Sequence, residues 1–530
     1  MTQLNSKIII CNGIKLDKTY KNVIDYTQTN MVTLCTNNKI KEANHYSFIK
    51  HGVNKISVDF TYSECLQANY MAFQNYDYSN KWFFAFIDSI EYSSPGSTII
   101  NFTVDVFSTW FADITVNRCF VVREHVNDDT IGLHTISEGL EIGEYKSQGV
   151  DVDSVNNDLT VILGMSEDYM DSYNLKVNEY NGIPAPLTYY RFDVLVSLQG
   201  VLQALQQGKA EAIVSMFLAP KWLAPYVTGS TDVKVATSSQ YAYEDIGINR
   251  ISTLDGYTPK NNKMLCFPFC YIGMSNSIGQ YQIYHQENWA INQLDSKMHA
   301  GMYGALVNGC SIRVVPQYYL GNQYAYDYSV VLGKFPSLAW ANDVYTNWLT
   351  QNGVNILGIT LNAEQAGVVG SLARIGAGIA LASTGGVAGV TAGGGLIGSG
   401  ARGMFDTMQQ SYQADIVPAG IRGSINSGDV TTSMGANRLY VYYVTIKNEY
   451  AKICDEFLTK FGYKVTTLKL PNVTGRKYWN YVQIGASEMI GFGNIPADAM
   501  RELNNIFING VTIWHDHANI GNYVLNNTIL

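Results

Sequence analysis

The sequence predicts a mainly β chain with minor α content, built of several domains and interrupted by a Gly/Ala-rich hydrophobic loop. Three observations predict this. β-branched and aromatic runs bounded by polar turns recur towards both ends of the 530 residues. Charged residues make up 15% of the chain, against roughly 25% in ordinary globular proteins, and 37 tyrosines with many Asn, Ser and Thr stand in their place. Between Arg374 and Arg402, 27 residues pass without a charge, an aromatic or a proline. The length suits about three or four domains with sizeable cores.

Residues 1–150 read as strands: Lys7 to Ile10, Lys55 to Phe60, Trp82 to Ile87, Thr98 to Phe107 and Cys119 to Arg123, with Ser93-Ser94-Pro95-Gly96 as a turn. A meander or barrel-like domain is expected there. Residues 151–353 read as mixed β with a helix near 197–218, where Val201, Leu202, Leu205 and Ile213 precede Pro220. Strands are expected over Met264 to Met274 and Cys310 to Tyr319. Residues 354–430 form the insertion, and the β pattern resumes over 431–530: a strand at Leu439 to Ile446, an amphipathic helix at Asn448 to Phe461, then strand and turn.

As a single helix the uncharged run would reach roughly 40 Å, enough for a hydrocarbon core of about 30 Å. Its large aliphatics are Ile375, Ile379, Leu381, Val387, Val390, Leu396 and Ile397. Together they supply only about −2 to −4 kcal/mol of insertion energy, opposed by the glycine backbone cost of roughly 1 kcal/mol per residue. One copy is therefore marginal in lipid, and several acting together are the expected arrangement. Gly385, Gly389 and Gly393 form one small-xxx-small row, and Gly394 with Gly398 another, which suits close helix packing. A flexible loop or a buried helical hairpin are the alternatives for such a tract. The G-x-G-x-x-G matches at Gly393, Gly395, Gly398 and at Gly398, Gly400, Gly403 lack a preceding strand and are chance in a Gly-rich tract.

Glu364, Arg374, Arg402, Asp406 and Asp415 flank the run. A charge at a bilayer centre costs roughly 2.5 to 3.5 kcal/mol, so these five are expected at an interface or in a lumen. Acidification, by neutralising the carboxylates, is expected to lower the barrier to insertion.

The net charge of −9 argues against a phosphate-gripping surface, since nucleic-acid binders present basic stripes. Met1 to Asn22 holds no apolar signal core, so synthesis and folding in a cytoplasm are expected. Eight scattered cysteines, of which only Cys266 and Cys270 are neighbours, match no zinc spacing and are expected to be buried free thiols. The chain carries no H-E-x-x-H, G-x-S-x-G or P-loop motif, and no catalytic residue, metal or cofactor is expected. Trp514-His515-Asp516-His517 offers two histidines where a metal needs three or four ligands, so it is expected to be a surface or interface turn. Asp128, Asp129, Glu138 and Glu141 are expected to be solvated charge rather than a hydrolytic pair.

Three N-terminal blocks, ANYMAFQNYDYSNKWFFAFIDSIEY (Ala68 to Tyr92), DVFSTWFADI (Asp105 to Ile114) and FVVREHVNDDTIGLHTISEGLEIGEY (Phe120 to Tyr145), resemble the tail knob, or distal tail tube, proteins of phi-29-like short-tailed bacteriophages. LCFPFCYIGMSNSIG (Leu265 to Gly279) agrees in the middle. FGYKVTTLKLPN (Phe461 to Asn472), GRKYWNYVQI (Gly475 to Ile484) and GNIPADAMRELNNIFINGVTIWH (Gly493 to His515) follow in the same order. Ser137 stands where the family often has proline, a local departure. The resemblance implies a virion protein of the tail tip, assembled in the host cytoplasm with other tail proteins as a hexameric ring or tube that passes viral DNA without binding it. It also implies that the hydrophobic loop rests in the tube lumen and is released to form a pore in the host membrane. A tail adhesin and a cell-wall hydrolase are the alternatives; the first has no use for the insertion, and the second needs a carboxylate pair or metal site.

Overall fold

The computed structural model describes residues 7–44, 54–75, 81–154, 159–166, 178–192, 213–225, 234–238, 240, 242–276, 279–307, 309–334, 337–338, 438–486 and 495–530. They form a mainly β protein of several sheets. The chain divides into two compact units, each assembled from separated stretches: Met1–Gly143, Gly256–Pro268 and Lys447–Leu530 in the first, Glu144–Asp255 and Phe269–Ile446 in the second.

In the first unit a six-stranded antiparallel sheet runs Lys39–Asn44, Lys7–Cys11, Tyr70–Asn75, Lys81–Ser94, Ser97–Val104, Lys55–Val58. Both faces are covered at its centre, so Ile8–Cys11, Tyr70–Phe73 and Phe84–Phe86 are buried without a break, whereas Ser97–Val104 alternates. Ile9, Cys11, Tyr70 and Phe84 pack on one side under the helix Gln28–Asn37, which contributes Met31 and Cys35. Ile8, Ile10, Met71 and Ala85 pack on the other with Ile56 and Ile100. Pro95-Gly96 closes the hairpin, with Ser94 opposite Ser97. The expected strand to Phe107 stops at Val104, because Asp105 caps the short helix Val106–Trp110 by accepting from Ser108 N.

A five-stranded sheet completes this unit in the order Asn22–Ile24, Val511–Trp514, Trp479–Ile484, Cys119–Glu124, Tyr463–Lys469; its first pair is parallel. Asn448–Phe461 is helical over the expected residues and ends at Gly462, whose φ is +66°. The expected strand and turn at the end of the chain need correction: Ala497–Asn509 is a helix. Pro496 stands before its first turn, and Gly510 at φ +85° follows its last. Ala499, Leu503, Ile506 and Phe507 form one apolar stripe at helical spacing, buried against Phe107, Trp110 and Val482.

The second unit holds three main sheets. One runs Thr188–Phe192, Leu159–Met165, Ile213–Pro220, Ser337–Leu338, and another Tyr281–Tyr284, Cys270–Ser275, Arg438–Ile446, Tyr145–Ser154. The third runs Tyr243–Ile248, Met298–Tyr303, Ser311–Tyr319, Asn322–Tyr324, with Val330–Lys334 also paired to Ser311–Tyr319. Two expectations are corrected here. The end of the expected helix near 197–218 is strand from Ile213: Val214 is 48% exposed while Phe217 and Ala219 are buried, and pairing with Leu159–Met165 overrides local helix preference. Residues 197–212 lie outside the described residues. The strand expected from Met264 begins only at Cys270, because Asn262–Leu265 is a 3-10 turn and Pro268 lacks the N–H a ladder needs.

The many glycines and tyrosines meet in a repeated contact. Gly164 lies opposite Tyr189, whose ring covers it, and a Cβ there would sit 2.9 Å from the ring. The Tyr281 ring covers Gly273, Tyr303 covers Gly301, and Tyr481 covers Gly510. At each of these glycines a tyrosine side chain occupies the space a Cβ would need.

Candidate functional site

The residues nominated for membrane contact (Ile375, Ile379, Leu381, Val387, Val390, Leu396, Ile397), for helix packing (Gly385, Gly389, Gly393, Gly394, Gly398) and as flanking charges (Glu364, Arg374, Arg402, Asp406, Asp415) all lie outside the described residues. The described structure gives the frame at the two ends of residues 339–437. On one side stands the two-residue strand Ser337–Leu338, paired with Ile213–Pro220 at Phe217 and Met216. On the other, Arg438 opens a nine-residue strand hydrogen-bonded on both edges, to Tyr145–Ser154 and to Cys270–Ser275. Exit is at a sheet edge and return is at a sheet centre, both in the second unit. Among the described residues no helix is long and apolar enough to cross a membrane.

The acidic residues set aside as solvated have different surroundings. The Glu138 side chain is buried, accepting from Lys464 N at 3.0 Å and ion-paired with both Arg123 and Lys263. Glu124 is buried too, accepting from Asn472 N at 2.7 Å and paired with Lys469. Asp129 accepts from Tyr463 Oη at 2.5 Å and from Asn262 N at 3.0 Å, and burial raises its carboxyl pKa. Burial likewise lowers the Lys263 ammonium, against the opposing pull of Glu138. Asp128 is exposed and accepts from Thr130 N and Oγ1, as the solvated reading expects. The buried carboxylates have their oxygens occupied by fixed donors, which makes them ties between distant parts of the chain. They are structural ties that sequence reasoning missed, and nothing local in the sequence marks them.

His515 and His517 serve separate bonds: His515 Nε2 lies 3.0 Å from Asn480 Oδ1, and His517 Nε2 accepts from Lys15 N at 3.1 Å. Among the described residues no cluster of three or more His, Cys, Asp or Glu could hold a metal ion. The eight cysteines are free thiols, buried except for the half-buried Cys310. Burial raises Cys119 to about 11, which keeps it protonated and inert.

Residues 232–528 match the family model for the C-terminal domain of the tail knob protein gp9 of Bacillus phage phi29, more than half of the chain. The chain belongs to the phi29 tail knob protein family. Residues 4–115 match the N-terminus of the caudoviral major tail proteins. The tail knob protein gp9 of Bacillus phage phi29 is 26% identical, across 95% of this chain and 96% of its own. That of Bacillus phage PZA is also 26% identical, across 99% and 98%. The structure of the bacteriophage C1 tail knob protein, gp12, shares the fold with a TM-score of 0.65 at 15% identity, covering 99% of this chain and 100% of that one. As a tail knob family member this is a structural protein of the phage virion tail, not an enzyme.

Proposed function

We propose that this protein forms the distal tail tube and knob of a short-tailed phage as a hexameric ring or tube, assembled in the host cytoplasm with the other tail proteins. The four divisions 1–150, 151–353, 354–430 and 431–530 then serve as tube, knob body, membrane-active insertion and tube. Its loops plug the tube at rest. On release they enter the host membrane together, and viral DNA passes outward for genome ejection. The observation that carries this reading is the uncharged run of 27 residues between Arg374 and Arg402, inside a tail knob family chain whose described residues are mainly β.

Ile375, Ile379, Leu381, Val387, Val390, Leu396 and Ile397 contact lipid in this proposal, while Gly385, Gly389, Gly393, Gly394 and Gly398 pack helix on helix. Closed assembly is how marginal, glycine-rich helices satisfy their backbones in lipid. Glu364, Asp406 and Asp415, with Arg374 and Arg402, stay at the interface, and neutralising the carboxylates eases insertion. The acidic net charge of −9 suits a conduit, since a basic lining would hold the phosphates.

Dye release from liposomes tests the proposal, with size-graded dextrans inside, at neutral and mildly acidic pH. The intact protein is compared with one in which residues 375–401 are a Gly/Ser linker. Size-limited leakage that vanishes with the linker, and grows on acidification, is the expected result. Equal leakage from both proteins, or none from either, rejects the pore, and specific binding of cell-wall glycan would then favour an adhesin.

A further inference from the structure

His299 lies on the strand Met298–Tyr303, opposite Gly247 of the strand Tyr243–Ile248. Its ring meets a carboxylate at each nitrogen: Nδ1 is 2.5 Å from Asp245 Oδ2, and Nε2 is 2.8 Å from Asp295 Oδ2. Asp245 belongs to the neighbouring strand, and Asp295 to the loop that precedes His299. A neutral imidazole has one N–H and one lone pair, and an ionised carboxylate has no proton to give. Only the imidazolium satisfies both contacts.

The loop these bonds hold is small and tightly wound. Ser296 N donates to Asn292 O and Asn292 N to Lys297 O, both at 2.8 Å, and Ser296 adopts a φ of +59°. At its tip Leu294 is 95% exposed, so no apolar packing of that side chain holds the loop down. Lys297 lays its stem over Gly247 beside the histidine, and Asn292 Nδ2 is 3.4 Å from His299 Nε2. The charges that act on the imidazole are those of Asp245 and Asp295.

We propose that His299 is a pH-gated pin, which as imidazolium ties Asp295 and with it the 292–297 loop to Asp245 on the sheet, and frees that loop on losing a proton. Burial pulls the imidazole towards the neutral form, but the two carboxylates outweigh it and raise its pKa, while His299 lowers that of Asp295. The pin is therefore fully set below the ordinary imidazole value of about 6.5, down to the depressed carboxylate range, and is lost as the pH rises through the raised value. It rests on none of the residues assigned to the pore, so failure of the liposome test leaves it standing.

Amide hydrogen exchange on the full-length protein tests this, with the peptide over 292–297 followed from about pH 6 to about pH 9, either side of the ordinary imidazole value, and corrected for base catalysis. Protection is expected to fall severalfold across that range in the native protein. In His299→Gln it is expected to be low and flat. Asp295→Asn, which leaves the imidazole one carboxylate, is expected to move the loss of protection to lower pH, and it serves if His299→Gln does not fold. Protection independent of pH in the native protein, or the native profile persisting in His299→Gln or Asp295→Asn, would overturn the proposal.

Discussion

Asn261 gives both its backbone N–H and its side-chain amide to the Asp455 carboxylate, at 3.1 and 2.8 Å. Tyr257 Oη and Lys260 N donate to the same group, each at 2.8 Å. One carboxylate on the helix Asn448–Phe461 thus docks the segment Gly256–Pro268, which approaches it from elsewhere in the sequence. Asp455→Ala takes the acceptor from the buried Asn261 N–H, while Asn261 Nδ2 keeps Asp455 O and Thr459 Oγ1, and is expected to cost about 1–3 kcal/mol in urea unfolding. A cost under about 1 kcal/mol, within the range of a surface change, would show that water replaces the carboxylate.

Glu138 sits between two cations that lie 15 and 125 residues away in sequence. Glu138→Ala leaves Arg123 and Lys263 buried together and is expected to destabilise by about 3–5 kcal/mol. Lys263→Met keeps the Arg123 pair and an apolar stem, and is expected to cost less than about 2 kcal/mol. A double-mutant cycle measures the coupling directly; additive costs would dismiss the cluster as a unit.

Acid should attack the first unit through His125. Its Nδ1 accepts from Tyr481 N at 2.7 Å, and its Nε2 lies 3.1 Å from Thr459 O, so the neutral ring carries its proton on Nε2. Burial, reinforced by Arg476, lowers its pKa to about 3. The neutral ring's contribution is present in full above the unfolded value of about 6.5 and is lost as the pH falls from there through about 3. Chemical denaturation of the native protein is expected to weaken across that window, and His125→Gln to flatten the slope there. An unchanged slope in the variant would assign the acid sensitivity to other groups.

Gly462 ends a helix at φ +66°, with the Glu124 carbonyl where a Cβ would stand. A left-handed conformation costs an L residue roughly 1–2 kcal/mol, and the backbone contact adds strain that no side-chain rotation relieves. Gly462→Ala is expected to destabilise by about 3 kcal/mol or more, read from the unfolding midpoint. Gly13, at φ +79° in open space, is the control, and its alanine variant should lose only the conformational part.

Strands such as Lys7–Cys11 and Cys119–Glu124 were legible because β-branched runs between polar turns carry their own period. The helix Asn448–Phe461 was legible for the same reason at helical spacing. Ala497–Asn509 went unread because Asn504, Asn505 and Asn509 are weak helix formers beside its intact stripe, and Gln28–Asn37 because only Met31 and Cys35 on it are buried. The ties at Glu124 and Glu138 were illegible in principle. Lys469 is 345 residues from Glu124, and no spacing announces a partner so remote. The candidate pore residues stand on composition and resemblance, since a Gly/Ala tract writes its peculiarity into local sequence.

The parallel pairing of Asn22–Ile24 with Val511–Trp514 carries a consequence for biosynthesis. A ribosome delivers the first of these strands long before the second, and most of the residues of the second unit come between them in the sequence and can settle meanwhile. The first unit closes only when residues 511–514 have emerged. A polypeptide released before Val511–Trp514 would leave Asn22–Ile24 and one edge of Trp479–Ile484 unpaired, so a strand made among the first waits on a partner made nearly last.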